Sequence, residues 1–144
     1  MNAEKIISNV ISGSDLSEDE TFQIINAIFE GKISEEKIIF FLEALSEKGE
    51  SVEEIVGAVK SMRKHSIKVN TNLKDLVDCC GTGGLGKNIM NISTCSAFVA
   101  AAGGVKIAKH GNRTSTGVSG SADILEAAGV NISIDSEQVS KCLE

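Results

Sequence analysis

Apolar residues recur every three or four positions along the first seventy residues, the spacing of helices that bury one face. Four helices are predicted from it, over residues 6–11, 21–30, 34–48 and 51–65. Because each has a single apolar stripe, the four should pack against one another and form a small all-α unit.

Residues that favour helix ends mark several of these boundaries. Two serine–glutamate pairs have the spacing of a capping box, in which each side chain binds an otherwise unpaired backbone amide: Ser17 with Glu20 and Ser51 with Glu54. Gly31 and Gly49 stand where a glycine ends a helix. Both the helix-end residues and the apolar stripes therefore predict the helices of this unit.

After residue 70 the pattern changes to short apolar runs divided by glycine. Strands are predicted at 76–80, 105–108 and 130–134, and helices at 92–102, 122–128 and 137–143. Strands that alternate with helices imply a parallel sheet. We therefore expect the α/β class, with an all-α helical subdomain over residues 1–70 and the first part of a mainly parallel-sheet domain over 71–144.

Composition narrows the class of protein. The 144 residues are 42% hydrophobic, which is sufficient for a core. No apolar run approaches the length of about eighteen residues that a membrane span needs, and the N-terminus does not resemble a signal peptide, so we expect a cytoplasmic protein without a membrane partner. Four cysteines lack paired spacing and are expected to be buried, reduced thiols without a zinc role: Cys79, Cys80, Cys95 and Cys142.

The charge is distributed unevenly. The net charge of −6 argues against general nucleic-acid binding, yet no Asp or Glu occurs from Cys79 to Ala122. That window carries three lysines and Arg113, a local charge of +4. Such a window suits an anionic ligand, although chance clustering around small residues would produce it as well.

Two loops within this window have the composition of an anion site. Residues 81–84 read Gly-Thr-Gly-Gly, which lets backbone amides approach an anion, and Asn91-Ile-Ser-Thr94 opens a helix whose N-terminus favours phosphate. The second loop, residues 109–123, combines two cations, five hydroxyls and three glycines. Helix capping alone would also account for Asn91 and Ser93, and His110 is expected to be a structural hydrogen-bonding residue rather than a base.

The order GTGG, NIST, KHGNR and SGSAD resembles the anthranilate phosphoribosyltransferase family, which has the nucleoside phosphorylase-like transferase fold. The resemblance covers essentially the whole chain, since SGSDLSEDET and EEIVGAVKSM also look like the family's N-terminal helical domain. KHGNR followed by SGSAD is its specific part, because the related pyrimidine nucleoside phosphorylases lack KHGNR. The resemblance implies a glycosyltransferase of tryptophan, and hence aromatic amino-acid, biosynthesis that is a cytoplasmic homodimer formed through the helical domain.

The same resemblance implies the ligands and their sites. Phosphoribosyl pyrophosphate and Mg²⁺ would bind at the glycine loop, and the amine of anthranilate would attack the ribose as pyrophosphate leaves. Ser93 would also be a Mg²⁺ ligand, Gly81 and Asn112 would contact anthranilate, and no catalytic residue is assigned. The phosphoribosyl pyrophosphate residues would be Gly81, Gly84, Leu85, Ile89, Asn91, Ile92, Ser93, Thr94, Lys109, His110, Gly111, Asn112, Arg113, Thr114, Ser115, Thr116, Gly117 and Ser121.

This chain departs from the family pattern at two positions. Leu85 replaces an Asp and Ile89 replaces a Ser or Thr, so magnesium handling should weaken while the backbone amides persist. The family's catalytic domain also continues past the counterpart of Glu144, and its later part supplies an Asp-Glu pair and an Arg. We therefore expect a fragment of a longer enzyme, a chain that works with a partner, or a degenerate copy. A transferase, a phosphate- or nucleotide-binding protein without turnover, a helical dimerisation module and a related nucleoside phosphorylase-like protein all remain open.

Overall fold

The computed structural model describes residues 3–81, 90–113 and 120–144 of the chain. The chain forms two compact units, Met1–Ile67 and Lys68–Glu144. Within the described residues, no helix combines the length and apolar character needed to cross a bilayer.

The first unit consists of four helices, as the apolar spacing predicts. They are α1 (Ala3–Ile11), α2 (Glu18–Phe29), α3 (Glu35–Lys48) and α4 (Val52–His65). Helix α2 begins three residues before the predicted start, at the acidic run Glu18–Glu20. Carboxylates are favourable in the first turn of a helix, where the backbone dipole is positive, and they therefore belong to the helix although they carry no apolar stripe.

Both predicted capping boxes are confirmed. Ser17 Oγ accepts a hydrogen bond from the Glu20 amide at 3.3 Å, and Glu20 Oε2 accepts one from the Ser17 amide at 3.0 Å. Ser51 and Glu54 make the same pair of bonds, at 3.3 and 2.7 Å. The two predicted helix-ending glycines follow α2 and α3 with left-handed backbones, at φ +68° for Gly31 and +82° for Gly49.

The core of this unit packs aliphatic side chains around Phe41, and both Phe41 and Ile24 are fully buried. A charged side chain lies beside it: Glu54 is 1% exposed, and its carboxylate accepts bonds from the Leu16 amide at 2.9 Å and from Lys48 Nζ at 2.8 Å. Burial alone would raise the pKa of Glu54, but the hydrogen bond from Lys48 and those from two backbone amides lower it overall. The carboxylate thus joins α4 to the loop before α2 in its ionised form.

Helices α2 and α4 approach each other closely at Gly57. A Cβ at this position would lie 2.3 Å from the Glu18 carbonyl oxygen and 2.9 Å from Thr21 Cβ, closer than atoms tolerate. One turn later, Ser61 is fully buried and its Oγ has no hydrogen-bond partner among the described residues. At position 57, therefore, only glycine fits without moving one of the helices.

Replacing Gly57 with Ala should destabilise the chain by about 1–3 kcal/mol, because the added methyl forces the two helices apart. Helix propensity alone would favour alanine by about 1 kcal/mol, so a net loss identifies the contact. Urea unfolding followed by circular dichroism measures the change.

Ser61→Ala on the same helix is the matched control. It removes a buried hydroxyl without a partner and should leave stability unchanged or raise it. A Gly57→Ala variant as stable as the parent chain would contradict the close contact.

The second unit contains the three predicted helices, with bounds shifted by one residue or less. They are α5 (Ile92–Ala102), α6 (Ser121–Ala127) and α7 (Ser136–Leu143). Asn91 caps α5 and Asp135 caps α7, each accepting a bond from an amide three residues on.

The predicted strands are largely absent from the described residues. The first two are reduced to one parallel bridge between Val77 and Ile107, in which the Val77 amide donates to the Lys106 carbonyl at 2.9 Å and the Ala108 amide to the Val77 carbonyl at 3.0 Å. Strand pairing needs a ladder of such bonds, and one bridge supplies two. The direction of the predicted pair is confirmed, whereas its length is wrong.

The third predicted strand, over residues 130–134, is wrong as well. The Val130 amide donates back to the Leu125 carbonyl at 2.9 Å, and the Ser133 amide donates to Asn131 Oδ1 at 3.0 Å. These donors are taken by local turns, and apolar, β-branched composition does not make a strand where no neighbouring backbone accepts them.

The cysteines are free, as predicted, but their predicted burial is wrong. Cys79 is half-buried and the other three are exposed: Cys80, Cys95 and Cys142. Helix α5 shows the reason, since it buries only the face that carries Thr94 and Ala97 and leaves Cys95 on the uncovered side.

Candidate anion-binding site

The parallel bridge between Val77 and Ile107 brings two loops to one end of the second unit. The two bridged segments of the chain run in the same direction. The loops that follow Val77 and Ile107 therefore begin side by side. One carboxylate oxygen joins them: Asp78 Oδ1 accepts hydrogen bonds from the Cys80 amide at 2.9 Å and from the His110 amide at 3.1 Å. The two loops are therefore held together at their first residues.

The first turn of α5 lies against the first of these loops. Asn91 Oδ1 accepts bonds from the Thr94 amide and from Ser93 Oγ, both at 3.0 Å, and so orders the start of the helix. Cys79 Sγ donates to the Ser93 carbonyl at 3.4 Å. A helix N-terminus with oriented amides and hydroxyls at the carboxyl end of a parallel pair is suited to a phosphate group.

A buried pair of hydroxyls connects α5 to α6. Thr94 Oγ1 donates to Ser121 Oγ at 2.9 Å, and the two residues are 3% and 8% exposed. The second loop packs against the start of α6, next to this pair. The Ala122 amide donates to the Asn112 carbonyl at 3.3 Å, and a Cβ on Gly111 would lie 3.0 Å from Ser121 Cβ. The loop thus approaches α6 so closely at Gly111 that a larger residue there would displace the Ser121 side chain.

The two cations of the second loop have different partners. Arg113 makes a bidentate pair with the Glu126 carboxylate at 2.7 and 2.8 Å and reaches Asp123 at 3.4 Å. The Glu126 carboxylate raises the pKa of Arg113, and the guanidinium lowers that of Glu126. Lys109 Nζ instead donates to a neutral group, the His110 carbonyl, at 2.9 Å. Of these two cations, Lys109 has no carboxylate partner among the described residues, so its charge is available to an anion.

Of the predicted site residues, eleven lie in the described part of the chain, and most of them fall in this region. They are Gly81, Asn91, Ile92, Ser93, Thr94, Lys109, His110, Gly111, Asn112, Arg113 and Ser121. The other seven lie outside the described residues: Gly84, Leu85, Ile89, Thr114, Ser115, Thr116 and Gly117.

Sequence reasoning did not identify two features of this region. Asp78 lies inside the predicted strand 76–80, and Asp is uncommon in strands but often binds the backbone amide two residues on, so its residue type could have indicated this role. The partners of Arg113 had no such signal, because Asp123 and Glu126 stand ten and thirteen residues away, a separation without a local rule.

The donor atoms present are compatible with a magnesium ion that a phosphate ligand brings. The Ser93 and Asn91 side chains offer neutral oxygens, and Mg²⁺ usually keeps waters and phosphate oxygens in its coordination sphere. Within residues 3–81, 90–113 and 120–144, no group of three His, Cys, Asp or Glu side chains could hold a metal by itself.

Two family models match the chain over both of its units. Residues 4–66 match the helical bundle domain of a glycosyl transferase family, and residues 73–144 match its a/b domain. The chain belongs to this glycosyl transferase family. The predicted class, a helical unit followed by an α/β domain, is confirmed at this level.

Curated relatives and a solved structure agree with this assignment. The chain is 51% identical to the anthranilate phosphoribosyltransferase of Acetivibrio thermocellus and 46% identical to that of Teredinibacter turnerae, over 98% and 100% of its length. It is 40% identical to the crystal structure of anthranilate phosphoribosyltransferase from Thermus thermophilus, with a TM-score of 0.87 over the whole chain. It spans 41%, 42% and 43% of these three proteins, respectively.

Thr94→Val should cost about 1–3 kcal/mol of stability, because it leaves the buried Ser121 hydroxyl without its donor. Adding Ser121→Ala should recover part of that loss, since the unpaired group is then removed. Urea unfolding of the single and double variants measures both effects.

Ser96→Ala, an exposed change on the same helix, should stay within about 0.5 kcal/mol of the parent chain. If the losses of the two single variants simply add in the double variant, the hydroxyl pair does not couple the helices.

Proposed function

We propose that the protein transfers the phosphoribosyl group of phosphoribosyl pyrophosphate to anthranilate, giving N-(5-phosphoribosyl)anthranilate and pyrophosphate in tryptophan biosynthesis. The observation that carries this proposal is the convergence of the first turn of α5 and the Lys109–Arg113 loop, held by Thr94 and Ser121. The relatives named anthranilate phosphoribosyltransferase support the choice of substrates.

The proposed pyrophosphate site uses amides and hydroxyls more than fixed charge. The first turn of α5 would donate to the phosphate oxygens, and Lys109 would supply the positive charge. Residues outside the described ranges belong to the proposed set as well: Gly84, Leu85, Ile89 and Thr114–Gly117. Gly81 and Asn112 are the proposed contacts of anthranilate.

The chemistry needs little proton transfer from the protein. When the bond from the ribose carbon C1 to pyrophosphate breaks, the electron pair leaves with the pyrophosphate and C1 becomes electron-poor. The amine nitrogen of anthranilate then supplies the pair for the new bond and loses a proton. The site contributes by stabilising the leaving group and aligning the amine.

Magnesium is part of the proposal through Ser93. When bound, Mg²⁺ would neutralise charge on the pyrophosphate oxygens. The Ser93 hydroxyl, ordered by Asn91, is the proposed protein ligand among the described residues.

A homodimer is also proposed, through the helical unit. Apolar side chains from α3 and α4 are about half exposed or more, and self-association would cover them: Ile39, Phe40, Leu42, Val52, Ile55 and Met62.

A protein that binds the phosphate ligand without turnover is the second candidate. The pairing of Arg113 with two carboxylates favours it, because this cation is then not directed at the leaving group. Both candidates share the site and differ in the transfer step.

Two measurements on this chain test the proposal. Calorimetry with phosphoribosyl pyrophosphate and Mg²⁺ should show binding, and loss of anthranilate fluorescence should show transfer. Asn112→Ala should slow transfer by about a hundredfold through misplacement of the acceptor. Asn72→Ala, an exposed change elsewhere in the same unit, is the matched control and should leave the rate unchanged.

Binding without transfer would favour the second candidate. Absence of both would contradict the assignment of this site.

A further inference from the structure

The two loops of the site bring a thiol and an imidazole together. Cys80 Sγ lies 3.4 Å from His110 Nδ1, although the residues are thirty positions apart in the chain, and both side chains are exposed. The proposed transfer reaction uses neither group as an acid or a base.

This pair is held by its backbone. The amides of Cys80 and His110 both donate to Asp78 Oδ1, so a single carboxylate oxygen fixes the separation of the two chain segments. The thiol has a second acceptor within reach, the Gly81 carbonyl at 3.3 Å. The sulfur therefore stands at the edge of the candidate anion site.

Cys80 differs from the other cysteines in this contact. The chain has two histidines, and the other, His65, stacks on Phe29 and contacts Asn26. Cys79 Sγ donates to a backbone carbonyl. An accessible thiol next to an imidazole has the surroundings of a reactive cysteine, because the imidazole can take the thiol proton.

We propose that Cys80 is a site of reversible thiol modification by small disulfides, with His110 as the proton acceptor. The Cys80 sulfur attacks one sulfur of the disulfide, a new S–S bond forms, and the old one breaks. Cys80 is oxidised, and the departing sulfur is reduced and leaves as a thiol with the proton that His110 has held.

The modification would also control the anion site, an inference that rests on the proposed function. The attached group would lie next to Gly81 and His110, two residues of the proposed phosphate site. A bulky, anionic group there should exclude pyrophosphate by volume and by charge.

Glutathione disulfide is the probe for the reactivity. Peptide mapping by mass spectrometry follows the modification of each cysteine in the folded chain. Cys80 should react at least about tenfold faster than Cys95 and Cys142, which are also exposed but have no imidazole contact among the described residues. Equal or slower reaction of Cys80 would overturn the proposal.

His110→Asn tests the role of the imidazole, since asparagine keeps a hydrogen-bonding group but does not take up a proton. This substitution should lower the rate at which Cys80 reacts with glutathione disulfide by about tenfold and leave the rate at Cys95 unchanged. His65→Asn is the matched control and should change neither rate. An unchanged rate for Cys80 in His110→Asn would overturn the assignment of the base.

Pyrophosphate calorimetry tests the effect on the site. The glutathionylated chain should bind pyrophosphate at least about tenfold more weakly, with full recovery after dithiothreitol, and Cys80→Ser should bind like the unmodified chain. Equal binding before and after modification would overturn the control of the site. If the unmodified chain does not bind pyrophosphate, the proposed function fails. The rates of Cys80 modification by glutathione disulfide still test the proposed reactivity in that case.

Discussion

One parallel contact, between Val77 and Ile107, sets the geometry of the candidate site. Its direction places the ends of two chain segments at the same edge, and an antiparallel contact would send their loops to opposite ends. Asp78 then ties the loops together through two amides. The polar residues that follow have a common location because of this pairing, and their types determine what that location can bind.

The site relies on neutral donors more than on net charge. The acid-free window suggests four cations facing an anion, yet Arg113 is balanced by Glu126 and Asp123 from α6. In the described part of the candidate site, the donors left for an anion are the first turn of α5, ordered by Asn91, and Lys109. Such donors are fixed by the fold and need little reorganisation to receive a phosphate, which is an advantage for stabilising a leaving group.

Local patterns predicted the helices well because their signals are local. The capping serines and the glycines at helix ends act within a few residues, and the structure confirms them. Strands depend on a partner elsewhere in the chain, so the apolar run at 130–134 indicated a strand that does not form. The pairing of Arg113 and the exposure of Cys95 also depend on tertiary neighbours, which composition and spacing do not encode.

The convergence of the two loops was predictable for a different reason. Glycine-rich loops and a capped helix after predicted strands follow a general rule for parallel sheets, and the described residues of those loops do converge. The contact between Thr94 and Ser121 was not readable, because two hydroxyls twenty-seven residues apart carry no spacing signal. The contact between Cys80 and His110 has the same origin.

Nuclear magnetic resonance of the ¹⁵N-labelled chain, titrated with pyrophosphate and Mg²⁺, shows whether the two segments form one anion site. If the first turn of α5 and the segment after Ile107 form one site, the amides of Ser93, Thr94 and Gly111 should shift with a single common dissociation constant. Shifts confined to one of the two segments, or different constants for each, would contradict a shared site.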